Sequence, residues 1–181
     1  MSRTSWRAPL KKALSRPTAT DAGLRLAVLG IGNSTRGDDG AGSLAARLVQ
    51  RGLSLANPGQ FLVIDAGPAP ENFSGVLRKF KPDFVLMVDA VQGESGDARI
   101  RWIDPANVGG VTAMTHGLPL TVLGDFLASE LGTGYGLLGI TGENFEPGKG
   151  LSLNVGRAVR RAAGEIRKLL QELDQENTSL R

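Results

Sequence analysis

Three runs in this chain, LRLAVLGI (24–31), FLVID (61–65) and DFVLMVDA (83–90), are almost unbroken in apolar residues. A strand with one wet face alternates polar and apolar side chains. A continuous run demands cover on both faces, which is the signature of a strand inside a parallel sheet. Between the runs the pattern turns helical: Ala41, Leu44, Ala45, Leu48 and Val49 within 39–52, then Phe73, Val76, Leu77 and Phe80 within 71–80. ARIRWI (98–103) alternates and reads as an edge strand. A helix over 118–131, a strand YGLLGIT (135–141) and an amphipathic helix from Leu151 to Leu173 complete the order β-α-β-α-β-β-α-β-α.

This order predicts one α/β domain over residues 24–174. Its largely parallel, twisted sheet has about five strands including an edge strand, flanked by helices on both faces. Residues 1–23 carry five Lys/Arg against Asp21 alone and read as a basic, flexible extension; residues 175–181 read as a frayed end. The extension has Trp6 as its lone aromatic and no stacking pattern, so nucleic-acid binding is not expected. No apolar run approaches the roughly 20 residues of a membrane helix, and nothing resembles a signal peptide. The chain has no cysteine, which removes disulfides, thiolate metal sites and cysteine nucleophiles. A cytoplasmic, monomeric protein is expected.

Open parallel sheets build their sites beyond the carboxyl ends of the strands. There this sequence places Asn33, Asp38 and Asp39 (GNSTRGDDGAG, 32–42), Asp65 (IDAGPAPEN) and Asp89 (MVDAVQ). Singly, each acid reads as a cap or turn residue, where aspartate is favoured. Acids from three segments at the same topological place favour a site. The one histidine, His116 in VTAMTHGLPL, stands between a Gly-Gly pair and a helix start, a setting that suits a capping residue as well as an ordered active loop.

Other chemistries fail on their motifs. There is no G-x-S-x-G elbow and no H-E-x-x-H. Gly30 and Gly32 begin a dinucleotide loop, but the third glycine is Thr35. No Lys-Ser/Thr follows to make a phosphate loop. What remains is Asp39, Asp89 and His116, an O,O,N set able to hold nickel, zinc, manganese or iron with positions open. In the glycine-rich turn Asp39 is expected to face the site, with Asp38 as helix cap or supporting partner.

LGIGNSTRGDDGAG, IDAGPAPEN, VLMVDAV, MTHGLPL and LLGITGENFEPGKGLS, in that order, resemble the nickel–iron hydrogenase maturation endopeptidases. The GDDGAG form is that of the branch processing hydrogenase 3-type (energy-converting) large subunits. The resemblance spans about residues 24–170 and implies an enzyme that removes the C-terminal extension of a nickel-loaded large-subunit precursor. It implies Asp39, Asp89 and His116 as metal ligands, and Asp65 in cleavage or substrate fit. The nickel would belong to the substrate, and a thiolate-free O,O,N site would bind metal modestly alone, as suits a sensor. Amide hydrolysis gains from a metal that polarises the carbonyl and acidifies a water. Glu143 and Glu146 stand where they could meet a basic substrate residue or simply solvate a turn. Two other readings follow from the residues: a nickel-checking chaperone that does not cut, and a nucleotide-binding enzyme on a Rossmann-like fold.

Overall fold

The computed structural model describes residues 6–15, 23–92, 100–103 and 120–179. Five strands form one sheet in the order β2-β1-β3-β5-β4: β1 (Leu26–Ile31), β2 (Phe61–Gly67), β3 (Phe84–Gln92), β4 (Ile100–Ile103) and β5 (Gly134–Gly142). The first three and β5 run parallel, and β4 pairs antiparallel with β5 at the edge, where its alternation had placed it. Every residue of β1 is buried, as an unbroken apolar run requires.

Two hydrophobic layers sandwich this sheet. On one face, α2 (Ala41–Gly52) and α5 (Leu153–Ser179) pack Ala45, Val49, Val159 and Ile166 against Leu26, Val28, Leu86 and Val88. On the other, α3 (Ser74–Phe80) and α4 (Leu120–Leu131) bring Leu77, Leu123 and Leu127 against Leu29, Val85 and Met87. Strand alternation sends each residue to one layer or the other.

The N-terminal segment departs from the flexible extension expected of it. Arg7–Leu14 is a helix, α1, whose Leu10 and Leu14 join Trp6 in the first hydrophobic layer. Trp6 is 2% exposed and Leu10 is 0% exposed. Spaced at i, i+4 and i+8, the three share one face, and α1 meets β4 and β5 at the sheet's edge. Its basic character serves the same docking: Arg7 donates to Glu165 and Glu172 of α5 at 2.9 Å each, and Lys11 pairs with Glu172.

The C-terminal end also differs. Helix α5 runs through Ser179 rather than fraying after residue 174. Its late polar residues satisfy backbone groups elsewhere. Asp174 accepts from the amides of Ala56 and Asn57, and Asn177 brackets Leu24 by accepting from its N–H and donating to its carbonyl. Buried amides need such partners, so the helix is held where its sequence looks fully solvated.

Candidate active site at the carboxyl edge of the sheet

At the carboxyl end of β1 the chain turns at Gly32, crosses residues 33–36 and enters a 3₁₀ turn, Gly37–Gly40, that leads into α2. Gly32 takes φ 127°, and a Cβ there would lie 1.8 Å from the carbonyl oxygen of Asp39 and 3.5 Å from Asp89 Oδ1. Only glycine allows the 3₁₀ turn to close so near β3. Gly42 works similarly: a Cβ would lie 2.0 Å from the carbonyl oxygen of Val88 and 2.4 Å from that of Ile31. These glycines let α2 sit directly on the strand ends.

The adjacent aspartates divide their work. Asp38 is fully buried, and its carboxylate accepts from the amides of Glu143 and Asn144 at 2.9 Å and of Ser152 at 2.7 Å. It anchors the loop 143–152 that follows β5. Backbone bonds zip this loop to the turn before Asp38: Gly37 N–H to Lys149 O, Gly148 N–H to Thr35 O and Asp38 N–H to Asn144 O. Asp39 keeps its carboxylate toward the strand ends, where Oδ2 accepts from Asn33 N–H at 3.1 Å.

Asp89, on β3, is 3% exposed. Its Oδ1 accepts from Ala90 N–H at 2.8 Å, while Oδ2 is buried without a hydrogen-bond partner among the described residues. Burial pushes its carboxyl well above the ordinary value of 3.8, the Ala90 amide pulls the other way, and the nearby Asp39 charge adds a further upward push. An orphaned, buried carboxylate oxygen beside a second acid suits a cation with oxygen preference. Among the described residues no third acid or histidine joins this pair. His116 lies outside the described residues.

Residues 44–169 match the sequence model of the family described as hydrogenase maturation protease (HycI). The chain belongs to the hydrogenase maturation protease family. Hydrogenase 3 maturation protease of Escherichia coli K12 is 40% identical over 106 residues, which span 58% of this chain and 65% of that relative. The crystal structure of the [NiFe] hydrogenase maturation protease HycI from Thermococcus kodakarensis KOD1 superposes with TM-score 0.75 at 27% identity, covering 90% of this chain and 98% of that one. The solution structure of the endopeptidase HycI from Escherichia coli gives TM-score 0.67 at 32% identity over 80% and 90% of the two chains.

In this family member Asp65 stands apart from the acid pair. It shares a rung with Gly30, as does Val88, so Asp89 lies one residue further on and faces the opposite side of the sheet. The Asp65 carboxylate is engaged by α2 instead, accepting from Ser43 Oγ at 2.6 Å and from Arg47 at 2.9 Å. Three polar groups near the acids carry no signal in a sequence reading: Thr141 Oγ1 and Ser152 Oγ, both buried without partners among the described residues, and Arg36, whose buried Nε is likewise unpartnered there. Thr141 is two residues beyond Gly139, the cross-strand partner of Asp89, and so lines the same face. Only the register of β3 on β5 reveals that proximity.

Proposed function

We propose that this protein is an endopeptidase that removes the C-terminal extension of a nickel-loaded [NiFe]-hydrogenase large-subunit precursor, acting in the cytoplasm on a folded protein partner. Asp89 carries the reading. Burial pushes its carboxyl well above the ordinary range, the nearby Asp39 charge adds to that push, and its Oδ2 has no hydrogen-bond partner among the described residues. A divalent cation reverses the balance, because it favours the ionised carboxylate that burial disfavours.

Asp39, Asp89 and His116 would hold that cation, and the nickel arrives as part of the substrate. When bound, it supplies Lewis-acid polarisation of the scissile carbonyl and acidifies a water. The rest is the chain's own work. Burial makes the ionised form of Asp89 costly, so the site would engage weakly until a loaded partner docks. Asp38 keeps loop 143–152 fixed beside the turn that bears Asp39. Gly32 brings that turn against β3.

The test is incubation with nickel-loaded and nickel-free precursor, reading the C-terminal mass loss. Processing of the loaded form alone, abolished by Asp39→Asn, Asp89→Asn and His116→Ala, is expected. Cleavage of nickel-free precursor at full rate by metal-free enzyme would refute the sensing role.

A further inference from the structure

Arg36 is the basic residue of the turn that carries Asp39, and among the described arginines it is the one with a buried nitrogen that has no hydrogen-bond partner. Arg7 meets Glu165 and Glu172, Arg25 donates to Phe80 O, Arg47 meets Asp65 and Arg78 meets Glu130. Among the described residues Arg36 has no such acceptor, yet its Nε is withdrawn from water. A guanidinium nitrogen left buried and unpaired is costly, and a bound ligand is one way such a cost is met. The backbone around it is fixed before any ligand arrives. Arg36 N–H donates to Asn33 O at 3.0 Å and Arg36 O accepts from Asp39 N–H at 3.2 Å. The residues on both sides, Thr35 and Gly37, are zipped to loop 143–152.

Resting on the endopeptidase reading, we propose that Arg36 is a specificity-determining residue that grips a carboxylate on the segment being cut. A planar guanidinium offers paired donors that match a carboxylate. The need for it follows from the site's charge. The Asp39 charge disfavours any anionic group brought to the strand ends, and hydrolysis of the scissile amide necessarily frees a carboxylate there. Two sources share this chemistry: an acidic side chain of the substrate segment, or the carboxylate that cleavage releases.

Initial rates of precursor processing by the full chain, its Arg36→Gln and Arg36→Lys variants and a Lys149→Gln control decide the matter. Lys149 is exposed on the loop zipped to the turn, so it reports the general effect of a lost positive charge. With a side-chain source, Arg36→Gln raises KM about tenfold with kcat within about threefold, the size of one lost charged contact. Arg36→Lys recovers part of that loss, and amide replacements of the substrate's acids reproduce it in the wild type while leaving Arg36→Gln indifferent. With the freed carboxylate as source, KM barely moves, and the processed subunit inhibits the wild type about tenfold more strongly than Arg36→Gln. Unchanged KM together with unchanged product inhibition overturns the proposal, as does an equal effect from Lys149→Gln. Failure of the wild type to cut the precursor overturns the endopeptidase reading itself, so the two failures are told apart.

Discussion

Replacing Asp38 by asparagine tests whether this acid is an anchor. Asp38 Oδ2 accepts two amides, from Glu143 and Asn144, and Oδ1 accepts a third from Ser152. Asparagine keeps one oxygen. Its best orientation holds that oxygen against the first two amides and turns the NH₂ toward Ser152 N–H, donor against donor. One charge-assisted bond of about 1.5–3 kcal/mol is lost, and the other two fall to the neutral range of about 0.5–1.5 kcal/mol each. Relief from burying a charge offsets part of this. The net expectation is a loss of about 2–4 kcal/mol, or a fall in Tm of roughly 5–15 °C for a chain of this size. Urea unfolding gives the free energy, and limited proteolysis reports whether residues 143–152 open first. Asp38→Ala leaves all three amides without that acceptor and should lose more. If Asp38→Asn stays within about 0.5 kcal/mol of the wild type, the anchoring argument is wrong.

Asp89→Asn should stabilise the chelator-treated protein at neutral pH while abolishing processing. The folded carboxyl titrates above its ordinary value of 3.8, so the wild type loses stability as pH rises from that value through the raised one. The gap between variant and wild type therefore opens above about pH 4 and then levels off; a constant gap down to pH 3 would contradict the burial account. Trp6→Ala empties a site 2% exposed and should cost about 3–5 kcal/mol by denaturant unfolding; a loss below about 1 kcal/mol would return α1 to the status of a loose tail. Gly42→Ala drives a methyl against two strand carbonyls and should cost about 3 kcal/mol or block folding, measured by the same unfolding curves.

The sheet was readable because an apolar run is a local property: β1, β2 and β3 announce themselves within a few residues, and so does the alternation of β4. Helix α1 was not. Its apolar face is two turns long, and the carboxylates that make its basic residues useful, Glu165 and Glu172, lie at the other end of the chain. Asp174 and Asn177 looked solvated for the same reason, since the amides they satisfy belong to residues 24, 56 and 57. The candidate site shows the limit most sharply. Pattern alone puts Asp38, Asp39, Asp65 and Asp89 at one edge of one sheet, and that much holds. Their different tasks depend on pairing across the chain. Asp38 turns inward because residues 143–152 present it three amides. Asp65 and Asp89 differ by a single rung, and in a pleated strand a single rung is the difference between the two faces of the sheet. An acid at a strand's end is therefore a candidate by sequence, but register decides whether α2 neutralises it or it stays orphaned beside Asp39.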